Sequence, residues 1–469
     1  MRLHLVAAAA MLAALAGCAS APQQTAAARP KNILFFLGDG LGINTMTAAR
    51  IYAVGEEGQL TLDTLSESAF VKTYSNDAQV TDSAASMSAY MTGVKPNNGV
   101  ISMSADTRAR EPGPDAQGRK LVSRCANGTP VATLAELAKQ RGMSAGVVTT
   151  TRVTDATPAA VFAHACAREL ETDIAAALVP GGAGYNAALG ANGLDLVLGG
   201  GSDYFGPLRS DGRDLLAELR AKGFRTPSDS AQLKALDEAT GQPVVGLFAR
   251  ADMSYDAVRD PAKEPGLAEM TTKAIGLLSK NSNGFFLVVE GGMIDLALHD
   301  TQAKRALQET VAFDNALKAA IAQMQAIDPG LKNTLIVATA DHDHTLLLNG
   351  YAKRTGRTTA TEPGVLGLLK QVADGKPRKD KDGAPFTIIG FGTGENRVQG
   401  SRASMAGLTD AIVTADDYHQ EAVVRMPKGW ETHGGTDVYL GAVGAGAENF
   451  HGTIDNTQVF NIIKAAAGL

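Results

Sequence analysis

The 469-residue chain has only three cysteines, 5% aromatic residues and no excess of positive charge. Lys and Arg total 43 against 49 Asp and Glu, a net charge of -6. That balance offers no basic footprint for a nucleic acid, so no nucleic acid partner is expected. Three cysteines permit at most one intrachain disulfide. What is present is ordinary for a folded protein. Hydrophobic residues make 45% and charged residues 20%, which excludes a disordered or a fibrous chain. The 51 glycines imply abundant loops and tight turns. The length accommodates one large domain with insertions or two to three smaller ones, at roughly 100 to 200 residues each.

Residues 1–18 read as an export signal: Arg2 is a positive start, and Leu5 to Ala16 form an apolar stretch too short to span a bilayer. The end, Leu15-Ala16-Gly17-Cys18, resembles a bacterial lipobox, which implies lipidation of Cys18 as the mature N-terminus. Ordinary cleavage and an uncleaved anchor are the alternatives. Residues 19–30 form a polar, Ala-rich tether. The expected location is therefore periplasmic or outer-membrane, in a bacterium, with membrane contact only through the lipid. Cys125 and Cys166 then remain as an even pair in an oxidising compartment, either as a disulfide or as two buried thiols.

After the tether, Asn32 to Leu37 is a continuous apolar run that stops at Gly38-Asp39-Gly40-Leu41-Gly42, the pattern of a buried strand entering a turn. The pattern recurs. Ala145 to Thr149 precedes Thr154-Asp155, Phe285 to Val289 precedes Glu290-Gly291-Gly292, and Thr334 to Ala338 precedes Asp341-His342. Between strands, Ala306, Val311, Phe313, Leu317 and Ile321 follow a helical period that predicts a helix over 301–325. Alternation of this kind predicts an α/β fold around a largely parallel sheet, whose ligand crevice lies beyond the carboxyl ends of the strands. Residues 351–428 break the alternation and read as an inserted subdomain. This leaves 31–350 and 429–469 as the main α/β domain, and the charge run Lys376 to Asp382 as a solvated loop.

The residues at the strand ends carry chemistry. Ser83 opens a helical run, where backbone N–H groups and the positive helix end favour an alkoxide or a bound oxyanion, although Asp82 before it is equally a common helix cap. Asp295 and His299 stand four apart and share one face of a helical turn. Asp341-His342 and His433 add a carboxylate and two imidazoles, and these mixed oxygen and nitrogen sets suit Zn²⁺. Asp39, Thr157 and Glu290 offer oxygen only, which suits Mg²⁺. Singly each residue is as readily structural; together they favour a metal site.

Seven segments, in order, resemble the alkaline phosphatases: residues 32–42, 81–99, 146–168, 195–205, 284–299, 334–344 and 431–438. The resemblance implies a three-layer sandwich around the parallel sheet with a crown-like insertion, a homodimer, and hydrolysis of phosphate monoesters through a phosphoserine. It implies two Zn²⁺ and one Mg²⁺. Ser83 would be the nucleophile, Arg168 the phosphate clamp and Asp82 its orienting partner. Asp295, His299 and His433 would hold the first zinc; Asp39, Asp341 and His342, with Ser83, the second; Asp39, Thr157 and Glu290 the magnesium. His344 would steady a ligand carboxylate, and Asp155 would stand beside the magnesium without a positive partner. Two positions depart from the family pattern. Leu296 occupies a place where relatives often carry Lys, His or Trp, and Ala249 replaces a Glu of the calcium site in animal-type relatives, so the resemblance does not extend to that site's Glu and leaves a fourth metal open. A phosphodiesterase or sulfatase of the same superfamily, or an inactive phosphate- or metal-binding lipoprotein, is the alternative function.

Overall fold

The computed structural model describes residues 29–110, 113–114, 121–122 and 127–469. The export signal, Cys18, the tether up to residue 28 and Cys125 lie outside the described residues. Cys166 is buried and disulfide-bonded. Among the described residues no helix is long and apolar enough to cross a membrane.

Each apolar run becomes a strand. Nine strands build the central sheet: β1 (Asn32–Gly38), β2 (Glu67–Lys72), β3 (Ser144–Arg152), β4 (Leu196–Gly200), β5 (Val244–Leu247), β6 (Phe285–Gly291), β7 (Thr334–Ala340), β8 (Val438–Gly444) and β9 (Gly452–Asp455). Their order is β9-β2-β8-β7-β1-β6-β3-β4-β5. The run from β7 to β5 is parallel throughout, and β8 pairs antiparallel with both β7 and β2. The side chains of Ile33 to Leu37 and Phe285 to Val289 are all fully buried, which requires cover on both faces and explains why these strands show no polar alternation. The helices Leu267–Leu278 and Ala303–Ile327 pack against each other and against the sheet.

Register decides what the carboxyl ends present. Gly38 at the end of β1 lies opposite Gly291 of β6 and Ala340 of β7, so Asp39 and Asp341 leave the sheet side by side. Thr149 of β3 and Leu37 both lie opposite Glu290. The chain then turns sharply at Gly40, with φ +66°, where a Cβ would stand 2.5 Å from the His344 ring. Only glycine fits there.

Helix Ser83–Thr92 is buried at every residue and packs on helices Ala156–Phe162 and Asn456–Ala467. Met87 and Met91 are core packing, as their spacing predicts. The helix expected from residue 301 begins instead at Ala303, because Thr301 adopts φ +54° and its N–H turns back to the Leu298 carbonyl. Residues 351–428 add no strand to the central sheet. Two of their strands, Ile389–Gly394 and Ala422–Arg425, join Leu346–Leu348 in a separate three-stranded sheet. In the charge run, Lys376, Arg378, Lys379, Lys381 and Asp382 are exposed, while Asp380 pairs with Arg402.

The two-sided burial of β1 sets a measurable contrast. Phe35→Ala, at a fully buried site, is expected to cost about 3–5 kcal/mol in urea denaturation. Phe70→Ala, on a β2 side chain that is half exposed, is expected to cost much less. Equal losses at the two positions would contradict the placement of β1 in the centre of the core.

Candidate active site

Two clusters of donor atoms form where β1, β6 and β7 end. In the first, Asp295 and His299 lie on the short helix Met293–His299 after β6, and His433 arrives from the other end of the chain. Asp295 Oδ2 is 3.4 Å from His299 Nε2, His299 Nε2 is 3.3 Å from His433 Nε2, and His433 Nε2 is 3.7 Å from Asp295 Oδ1. In the second, His342 Nε2 is 3.4 Å from Asp39 Oδ1 and 3.2 Å from Asp341 Oδ2. Ligand atoms at the corners of a tetrahedron with bonds of ~2.0–2.1 Å stand about 3.3 Å apart, so both sets have the spacing of a small cation's coordination shell.

The histidine tautomers point the same way. His299 Nδ1 contacts the Glu431 carbonyl at 2.5 Å, His433 Nδ1 the Thr81 carbonyl at 2.9 Å and His342 Nδ1 the Asp343 carbonyl at 3.3 Å. A carbonyl only accepts, so each Nδ1 carries a proton and each Nε2 points into the cluster. The rings of His342 and His433 stack at 3.6 Å and tie the two sets together. His344 is different. Its Nε2 lies 2.7 Å from Asp295 Oδ1 and its Nδ1 contacts Glu431 Oε2, so both nitrogens face carboxylates. Burial opposes its charge, but Glu431 and Asp295 push its pKa up to about 10, making it a cationic strut on the Asp295 carboxylate rather than a lone-pair donor.

Ser83 is the first residue of its helix. Its Oγ lies 3.2 Å from His342 Nε2 and 3.5 Å from Asp39 Oδ1, at the edge of the second cluster. Asp82 does both of the things its position allows. Its Oδ1 caps the helix by accepting from Ala85 N, while its Oδ2 accepts from Gly99 N and lies 3.3 Å from Arg168 Nη1. Arg168 Nη2 lies 3.3 Å from Asp155 Oδ1.

The third set is oxygen only. Thr157 Oγ1 donates to Asp39 Oδ2 at 3.2 Å, and Glu290 Oε2 accepts from Thr149 and Thr151. Asp155, expected from sequence to lack a positive partner, has two: Arg152 Nη2 at 3.0 Å and Arg168 Nη2 at 3.3 Å. Burial would raise its carboxyl, but Arg152 and then Arg168 bring it below the ordinary range. A lysine at Leu296 would therefore find Asp155 already paired.

So many buried carboxylates cannot all ionise unaided. Burial, then Asp341, Asp295 and Glu290, push Asp39 well above the usual carboxylate range, and burial pushes Glu290 up to about 8. Burial also lowers His433 far below its ordinary value, with His342 and His344 adding to the effect, which keeps the ring neutral. Glu290 Oε1 and Asp341 Oδ2 are buried without a hydrogen-bond partner. Buried carboxyl oxygens without a hydrogen-bond partner, beside inward-facing imidazole nitrogens, fit divalent cations.

Two residues of this site carry no signal that sequence reading could use. Glu431 opens the segment 431–438, yet nothing there shows that its two oxygens hold His344 and Thr345. Arg152 holds Asp155. Of the remaining described histidines, His164 bonds Glu136 at 2.7 Å, His419 bonds the Asp300 carbonyl at 2.6 Å, and His451 is exposed, so none of these enters the clusters.

The alkaline phosphatase family matches residues 30–469. The tissue-nonspecific alkaline phosphatase isozyme of Rattus norvegicus is 35% identical, over 93% of this chain and 83% of that one. The alkaline phosphatase of Gadus morhua is 34% identical, over 94% of this chain and 92% of that one. Among solved structures, Thermus thermophilus alkaline phosphatase superposes with a TM-score of 0.66 at 25% identity, covering 94% of this chain and 92% of that one. A variant of alkaline phosphatase TAB5 with Mg bound in its M3 site gives 0.65 at 25% identity, covering 94% and 99%. The sequence match over nearly the whole chain, the shared fold and the buried donor clusters lead to one conclusion: this chain belongs to the alkaline phosphatase family and is a metal-binding phosphoric monoester hydrolase.

Proposed function

We propose that the chain hydrolyses phosphate monoesters through a phosphoserine on Ser83, at a site that takes two Zn²⁺ and one Mg²⁺. The observation that carries this reading is the pair of donor triads with ~3.3 Å spacing, each with its Nε2 atoms turned inward. Asp295, His299 and His433 would hold one zinc, Asp39, Asp341 and His342 the other, and Asp39, Thr157 and Glu290 the magnesium. Bound there, the cations supply Lewis-acid stabilisation of the charge on the attacking and leaving oxygens.

The chain's own residues do the rest. Ser83 presents its oxygen from a helix N-terminus, where the backbone N–H groups favour the alkoxide. The Ser83 oxygen attacks phosphorus as the P–O bond to the alcohol breaks; the alcohol leaves, and water then displaces the serine oxygen to give inorganic phosphate. Two in-line displacements predict net retention at phosphorus. Arg168, held between Asp82 and Asp155, offers a planar fork to two phosphate oxygens, and its charge favours a monoester dianion over the singly charged diester. His344 and Glu431 keep the Asp295 carboxylate in place. Homodimerisation, export and lipidation at Cys18 belong to the same reading.

Acid quench with labelled monoester is expected to trap phosphate on the peptide containing Ser83, and Ser83→Ala to lose the label; label on another peptide would refute the nucleophile. Arg168→Ala is expected to lower kcat/KM for monoesters about 10- to 100-fold, the worth of one or two charge-assisted hydrogen bonds, and to affect diesters less.

Metal removal has a signed pH dependence. A Glu290 carboxyl raised from 4.5 to about 8 keeps its proton in the folded state after the unfolded chain has lost it, so this group's contribution to stability falls as pH rises towards 8. His344, raised from 6.5 to about 10, contributes stability below 6.5 that is lost as pH rises through 10. The chelated protein is therefore expected to lose thermal stability steadily from pH 7 to 10. Protein reloaded with Zn²⁺ and Mg²⁺ is expected to lose less over this range, because the magnesium replaces the proton on Glu290, while His344 titrates in both forms. Parallel melting curves for the two forms over that range would reject the metal assignment.

For attachment, expression in a Gram-negative host is expected to yield a detergent-partitioning protein whose mature N-terminus is Cys18, and Cys18→Ser to release or misprocess it. Another mature N-terminus would exclude lipidation.

A further inference from the structure

Arg152 ends β3 at a break in the β3–β4 register, and there its side chain collects three carboxylates. Nη1 lies 2.8 Å from both oxygens of Asp252, Nε 2.9 Å from Glu171 Oε2, and Nη2 3.0 Å from Asp155 Oδ1. The backbone N–H of Arg152 also donates to Asp252 Oδ1 at 3.0 Å, and Thr154 Oγ1 holds Glu171 Oε2 at 2.6 Å. All three guanidinium nitrogens are thus committed to carboxylates, so Arg152 is not placed to bind substrate itself. The arrangement is built into the fold. Gly201 N donates to the Ala251 carbonyl at 2.8 Å, and a Cβ on Gly200 would stand 2.2 Å from that same oxygen. The Gly199-Gly200-Gly201 run lets the segment carrying Asp252 come close enough to reach Arg152.

Asp155 joins this network to the phosphate clamp, because its Oδ1 is shared between Arg152 Nη2 at 3.0 Å and Arg168 Nη2 at 3.3 Å. Arg168 is held equally loosely on its other side, 3.3 Å from Asp82 Oδ2. Both separations are longer than the 3.0 Å at which Arg152 Nη2 holds Asp155 Oδ1. An Arg168 that closed onto Asp155 would spend on it the N–H groups that a phosphate needs. We infer that Arg152 is a positioning residue for phosphate recognition: by holding Asp155 at the shorter distance, it keeps that carboxylate from closing onto Arg168 and leaves the Arg168 fork open to two phosphate oxygens. The inference rests on the reading of Arg168 as the phosphate clamp. It assigns to Arg152, three residues ahead of Asp155, the cation that the apolar Leu296 does not supply. Without Arg152, Asp155 pairs with Arg168 alone, and a negative charge that was compensated faces the phosphate dianion. Both effects weaken anion binding.

The test is equilibrium binding of inorganic phosphate to the zinc- and magnesium-loaded protein by calorimetry, with KM and kcat for a monoester in parallel. Arg152→Gln is expected to weaken phosphate binding about tenfold and raise KM similarly, with kcat within threefold of wild type. Arg152→Lys, which keeps the charge, is expected to recover part of that loss and also serves if the glutamine variant does not fold. In an Asp155→Asn background, Arg152→Gln is expected to change phosphate affinity less than twofold, since the effect passes through Asp155. Arg402→Gln controls for a purely structural loss. Arg402 is forked between Asp380 and Glu421 away from the site, so this variant is expected to lower the melting temperature and leave phosphate affinity unchanged. Phosphate affinity within twofold of wild type in both Arg152 variants, or full additivity with Asp155→Asn, would overturn the inference. Unchanged affinity in Arg168→Ala would instead overturn the phosphate-clamp reading beneath it.

Discussion

Electrostatic repulsion among buried carboxylates is the constraint on which the rest of this structure depends. Asp39, Glu290, Asp295 and Asp341 leave three adjacent strands at the same end of the sheet, in a region with little water to screen them. Protons relieve part of the strain, as the raised Asp39 and Glu290 show. Inward-facing imidazole nitrogens and two orphaned carboxylate oxygens mark where divalent cations would relieve it better. Structure around the site serves the same end: the sharp turn at Gly40 makes room for His344, and the cationic His344 bridges Asp295 and Glu431.

A second layer of charge surrounds the first and follows the same logic with arginines in place of metals. Arg168 lies between Asp82 and Asp155, and Arg152 among Asp155, Glu171 and Asp252. Two guanidinium groups therefore serve four carboxylates, one of them shared. A chain of this kind transmits position: each planar fork fixes the angle of the carboxylate it holds, and that carboxylate fixes the next fork. Asp82 adds a mechanical link, because its other oxygen caps the helix that presents Ser83. Ser83 and Arg168 are in this way referred to one carboxylate.

How much of this was legible in the amino-acid order depends on the range of the interaction. Apolar runs ending in Gly, Asp or Glu marked β1, β3, β6 and β7 because burial on both faces leaves no other pattern. The Asp295 and His299 pair was legible because helical spacing is local. The start of the long helix was misplaced by two residues, since the left-handed Thr301 has no signature in its side chain. Asp155 was read as unpaired because the direction of the Arg152 side chain depends on a register break between two strands. The role of Glu431 was missed because its partners, His344 and Thr345, lie more than eighty residues away.

The sequence alone thus determined the class of fold, the strand ends at which chemistry gathers, and the residue types that a metal-binding phosphatase site needs. These follow from periodicity and side-chain chemistry, which act over a few residues. Tertiary structure alone decided which nitrogen of each histidine is free, how two arginines are shared among four carboxylates, and which acids remain without a partner. Those outcomes turn on distances of 3 to 4 Å between groups far apart in the chain. Such distances are set by strand register and by how closely one loop can pack on another, and no local pattern encodes them.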